Sequence, residues 1–82
     1  MQDMKEIFPH IVVDLNIQGG KPMIAGTRVP VEVIVGHLAA GDTTEQVIEE
    51  YGITQKDVQA ALKYASKVIG DETLIYESAV SH

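Results

Sequence analysis

The stretch "TTEQVIEEYGITQKDVQAALKYASKVIG", Thr43–Gly70, decides the fold, because two helical patterns meet in it across three residues. In the first, Thr43 and Gln46 have the spacing of a capping box, Val47, Ile48 and Tyr51 recur on one side, and Gly52 suits the stop. The second opens on Thr54, a strong N-cap residue, with Asp57 where the reciprocal acid belongs. Ile53 and Val58 stand at the two positions of a hydrophobic staple. Val58, Ala61, Leu62, Ala65 and Ile69 then share one face until Gly70. A short helix, a "GIT" turn and a longer helix are the outline of a helix-turn-helix at 43–69.

Upstream, Val31, Ile34, Val35 and Leu38 fall at i, i+3, i+4, i+7, the apolar stripe of another helix. Pro30 suits its first position, Glu32 the positive end of its dipole, and Gly41 its end. Before it, "IVV" (11–13) and "PMIA" (22–25) flank "NIQGG" and read as a hairpin with a longer loop. The expected fold is therefore mainly α and forms a single domain over 1–82. It has a short N-terminal β-hairpin at 10–29, a three-helix bundle at 30–70 and a tail at 71–82. The tail's "TLIYESAV" reads as one more strand or a mobile end.

Eighty-two residues, 45% of them apolar, suit a small globular domain rather than a disordered chain. A domain of this size buries only about 60% of its unfolded surface, so pairing with a second copy is expected. With no cysteine, disulfides and thiolate metal sites are excluded. The apolar runs are far short of the roughly 20 residues that span a bilayer, and "MQDMKEIFPH" lacks the pattern of a signal peptide. The expected location is the cytoplasm, with no membrane partner.

A net charge of −6 argues against a free-standing nucleic-acid binder, but the charges are unevenly placed. Residues 42–50 and 71–77 are acidic without a base, whereas 51–70 carry Lys56, Lys63 and Lys67 against Asp57. At ~100° per residue these lysines fall within about 40° of one another, opposite Val58, Leu62, Ala65 and Ile69. Gln55 and Gln59 flank them. Glutamine pairs with adenine edges, and lysine serves phosphates or guanine. The plainer alternative is a solvated helix face; the absence of any acid from the stripe favours a nucleic-acid surface.

The glycine-rich run "GGKPMIAGTRVP", 19–30, invites a phosphate-loop reading that its residues refuse. Leu15 stands where a Walker-type loop needs glycine, and Pro22 where it needs Ser or Thr. Gly19 and Gly20 are better spent on a hairpin loop. Arg28, just ahead of a helix, reads as a phosphate or carboxylate clamp or as a brace. Catalytic constellations are not evident: Ser66, Ser78 and Ser81 have no His–Asp partner in view, and His10, His37 and His82 lack metal-ligand spacing. No enzyme activity, cofactor or metal is expected.

"GGKPMIAGTRVPVEVIVGHLAAG", followed by "TTEQVIEEYGITQKDVQAALKYA", resembles the bacterial and archaeal domain-of-unknown-function family 433. The matching positions are Gly20, Lys21, Pro22, Gly26, Thr27, Arg28, Pro30 and Val31, then Gly41, Tyr51, Thr54, Asp57 and Leu62, with departures at Leu15 and Gly52. The resemblance spans about residues 11–65. It implies a homeodomain-like helix-turn-helix, VapB-type, acting as the antitoxin of a type II toxin–antitoxin pair whose toxin is a PIN-like ribonuclease. On that reading the protein is a homodimer that binds its toxin and its operator DNA. The expected DNA-binding residues are Arg28, Gln55, Lys56, Gln59, Lys63 and Lys67. Glu72, Leu74, Ile75, Tyr76 and Glu77 are the candidate toxin-binding residues, an acidic and apolar surface for a basic nuclease. The rival readings are a protein-interaction or dimerisation module and an orphan transcriptional regulator.

Overall fold

The computed structural model describes residues 4–80, with side chains for 4–71. Strands β1 (Met4–Phe8), β2 (Ile11–Asp14) and β3 (Met23–Ile24) form an antiparallel sheet in the order β1-β2-β3. Helices α1 (Val31–Ala39), α2 (Thr44–Tyr51) and α3 (Gln55–Val80) follow. The sheet overturns the expected mainly α fold with its two-stranded hairpin at 10–29: the architecture is mixed α and β. The strand that was missed has a physical reason for being illegible. In "MKEIF" the first four residues are exposed and only Phe8 turns towards the body, so no alternation marks it. Lys5 and Glu6 are charges of the kind that protect an edge strand.

β2 pairs with β3 through Ile11↔Ile24 and Val12↔Met23. The intervening chain makes one turn of 3-10 helix at Gln18–Gly20, and Gly19 and Gly20 sit at φ 68° and 82°, where side chains are strained. Beyond β3 the "GTRVP" run folds into a bracketed turn. Thr27 Oγ1 donates to the Ile24 carbonyl at 2.8 Å and accepts from Val29 N–H at 3.0 Å. Pro30 is the N-cap rather than the first residue of α1, because its extended backbone bridges to Met23.

Alternation along the strands sorts the two faces of the sheet. Ile11 and Ile24 join Val31, Ile34, Val47, Ile53, Val58, Ala60 and Ala61 in the core. Val12 and Met23, buried but outside that cluster, belong to the reverse face. Ile34 is fully enclosed, and its truncation to alanine is expected to cost about 2–5 kcal/mol.

Both capping boxes of the α2–turn–α3 corner form. Thr43 Oγ1 accepts from Gln46 N–H at 3.1 Å while Gln46 Oε1 accepts from Thr43 N–H at 2.7 Å. Thr54 and Asp57 exchange the equivalent bonds at 3.1 and 3.0 Å. Gly52 closes α2 in the left-handed region at φ 65°. Gly70 closes nothing: α3 continues through it to Val80, about 39 Å from end to end, which replaces the expected strand or loose tail. A glycine without a tertiary reason to stop is simply carried by the helix. No helix among the described residues is long and apolar enough to cross a membrane.

Candidate nucleic-acid interface

The outward side of α3 differs from the expected one by a rotation of roughly 70° about the helix axis. Leu62 and Ile69 were expected inside, yet they are 42% and 60% exposed. Val58 and Ala61 are buried as expected, and Ala60 joins them, with Tyr64 packed against the core. The β1–β2 hairpin causes this shift. Phe8 meets Tyr64 edge to face, ring centroids 5.6 Å apart, so the sheet covers a flank of α3 that a three-helix bundle alone would leave open.

Lys56, Gln59 and Lys63 are exposed, and they line one depression together with Phe8, Pro9 and His10 of the hairpin tip. Among the described residues neither Lys56 nor Lys63 has an acidic partner. Lys67 does: its Nζ lies 3.0 Å from Asp71 Oδ2. Three lysines with one sign are thus reduced to two, since Asp71 one turn further on lies within reach. Gln55 is exposed in the first turn of α3. Arg28 is exposed too, but it borders a separate depression with Met4, Asp14 and Met23. The structure therefore brings Lys56, Gln59 and Lys63 together and leaves Arg28 apart. Gln18 Nε2 donates to the Arg28 carbonyl at 3.0 Å, which makes this segment part of the loop's bracing. The proposed toxin-contact side chains of Glu72, Leu74, Ile75, Tyr76 and Glu77 lie outside the described residues.

The sequence reading missed the hairpin tip as part of this surface. "FPH" carries a turn signal in Pro9, but nothing in the sequence said that it faces α3. His10 holds a left-handed backbone, φ 69°, which is uncommon for a residue with a side chain.

A second polar cluster ties the helices that carry the interface. His37 Nδ1 lies 2.7 Å from Asp42 Oδ2, and its Nε2 lies 2.6 Å from the Tyr51 hydroxyl. This chain joins the end of α1, the α1–α2 turn and the last residue of α2. Partial burial, the neighbouring Glu50 carboxylate and Asp42 together raise the Tyr51 pKa, so the phenol stays protonated. A protonated hydroxyl hydrogen-bonded to imidazole is a brace; nothing among the described residues makes it a nucleophile.

Residues 11–65 match the model of the family described as Protein of unknown function (DUF433). The chain is 32% identical over 60 residues to Uncharacterized protein Rv2308 of Mycobacterium tuberculosis, a match that covers 73% of this chain and 25% of that protein. The crystal structure of Rv2018 from Mycobacterium tuberculosis superposes with a TM-score of 0.64 at 31% identity, over 73% of this chain and 30% of that one. The chain thus spans less than a third of the length of either relative. The matched region holds β2, β3, α1, α2 and the part of α3 that packs on the core, so likeness extends through the structural unit that presents the lysines. On these grounds the chain belongs to the DUF433 family of proteins of unknown function.

Proposed function

We propose that this protein is a cytoplasmic antitoxin of a type II toxin–antitoxin pair, which binds operator DNA through α3 and a PIN-like ribonuclease through its C-terminal end. The observation that carries the DNA limb is the surface of Lys56, Gln59 and Lys63, whose depression has no acid among its described lining residues, beside the doubly capped α2–turn–α3 corner. Lysine at the flank takes phosphates, and Gln55 and Gln59 nearer the outward centre of α3 reach base edges. Two unpaired lysines per copy give few phosphate contacts, so useful affinity requires a homodimer on two half-sites. The toxin limb rests on the family resemblance and on the acidic and apolar composition of residues 72–77.

A gel shift on the DNA upstream of the protein's own reading frame tests the first limb. Lys63→Glu is expected to abolish the shift, and an undiminished shift contradicts it. Co-purification with the product of the adjacent gene, followed by a nuclease assay, tests the second.

A protein-interaction module is the competing reading, and one observation favours it. A groove of about 400 Å³ runs between α1 and α3, floored by Val31, Val35, Ala65 and Val68, with Ile69 at its edge. The exposed apolar edge is of the kind that marks an interaction surface. If Ile69→Glu abolishes partner binding while Lys63→Glu changes nothing, this reading replaces the first.

A further inference from the structure

The hairpin tip beside α3 is built as a wall and held by contacts that a loose loop would not need. Phe8 is pinned to Tyr64 by the edge-to-face contact, and a register irregularity between Glu6 and Phe8 bends β1 as it approaches the turn. Glu6 Oε2 accepts from His10 N–H at 3.2 Å, and Ala25 N–H donates to the His10 carbonyl at 2.8 Å. The His10 backbone is thus tied on both sides in a left-handed conformation that costs energy for a residue with a Cβ. Its imidazole has no hydrogen-bond partner among the described residues, and it borders the same notch as the two unpaired lysines.

The notch has a volume of about 250 Å³, several times the roughly 30 Å³ share of a water molecule, enough for a phosphodiester with part of its sugar. Phe8 and Ala60 supply apolar lining, Lys56 and Lys63 stand on the helix side, and His10 stands on the other. Among the described residues no carboxylate lines it, and the nearby Glu6 carboxylate accepts from the His10 backbone N–H. On a chain of net charge −6 a notch lined by two ammonium groups and an imidazole, with no acid in its described lining, favours an anion.

From this geometry we infer that α3 and the hairpin tip grip one strand of duplex DNA between them, with a backbone phosphate seated between His10 and the Lys56–Lys63 pair. The inference rests on the proposed DNA contact of α3 and adds the second wall. α3 then lies along the groove with Gln55 and Gln59 towards the bases, while the tip straddles the phosphate ridge beside it. The strain at His10 acquires a purpose: it aims the ring across the notch at a phosphate oxygen, to which a ring N–H donates.

Fluorescence anisotropy with a labelled duplex from the DNA immediately upstream of the protein's own reading frame tests this. His10→Gly removes the ring at a position where the positive φ suits glycine, so the tip keeps its shape. His10→Gly is expected to weaken binding about tenfold, with the melting temperature unchanged or raised. His10→Asn, which tolerates the same backbone and keeps a donor, is expected to restore part of that loss. Wild-type affinity for His10→Gly, with Lys63→Ala weakened, overturns the two-walled grip and leaves the α3 contact standing. Wild-type affinity for both variants overturns the α3 contact and the grip together.

Discussion

Lys67 Nζ lies 3.0 Å from Asp71 Oδ2, one turn along the same helix, with both side chains more than half exposed. The pairing draws Lys67 away from the proposed DNA-facing surface without stabilising the helix much. An exposed i, i+4 pair is worth only about 0.3–0.5 kcal/mol and is screened by salt.

Lys67→Ala is therefore expected to leave DNA affinity within about twofold of wild type, whereas Lys63→Ala weakens it about fivefold or more at low salt. Asp71→Ala releases Lys67 and is expected to strengthen binding. Parallel anisotropy titrations of the three variants check the order.

Gly52 and Gly70, two of the glycines that read as helix ends in the sequence, should respond with opposite signs. Gly52 caps α2 at φ 65°, so Gly52→Ala is expected to destabilise by about 1 kcal/mol. Gly70 lies inside α3 with nothing near an added Cβ, so Gly70→Ala is expected to stabilise by about 0.5–1 kcal/mol. Thermal unfolding of both variants reads the signs directly.

Each capping threonine fixes the start of one helix of the corner. Thr43→Ala and Thr54→Ala are each expected to cost about 1 kcal/mol, a fall in Tm of roughly 4–8 °C for a domain this small. Because Thr54 sets where α3 begins, its loss is expected to weaken DNA binding as well. Calorimetry and anisotropy on the same samples separate the two effects.

The raised Tyr51 pKa has a definite consequence for alkaline stability. The folded protein holds the phenolic proton more tightly than the unfolded chain does. That contribution is complete below the ordinary tyrosine pKa of about 10 and is lost as pH rises through it towards the folded value. Tyr51→Phe is expected to lower the Tm at pH 7 and to flatten its decline above pH 10. A Tm series from pH 7 to 11 measures both.

Much of the helical corner was legible because local chemistry specifies it. Thr43 with Gln46, Thr54 with Asp57, and Gly52 act within four residues of one another, so spacing alone locates them. The rotational setting of α3 was legible only in part: Val58 and Ala61 are buried as expected, and Leu62 and Ile69 are not. Leu62 and Ile69 share an apolar stripe with Val58, yet the buried side is set by where the sheet lies, and Ala60 looks neutral in sequence. β1 was invisible because its exposed charged residues carry no alternation, and with it went the hairpin tip and His10. The lysine cluster survived this error because a rotation of roughly 70° still leaves Lys56 and Lys63 outside the core. Asp71 was read as part of an acidic tail, and only the continuation of α3 through Gly70 places it against Lys67.

The central claim is that Lys56 and Lys63 on α3 contact the phosphates of DNA. The salt dependence of binding for the Lys56→Ala, Lys63→Ala double variant measures those contacts most directly. The account predicts that the slope of log K against log salt becomes shallower by about 2 for each bound copy, with the fold intact. An unchanged slope together with unchanged affinity contradicts it.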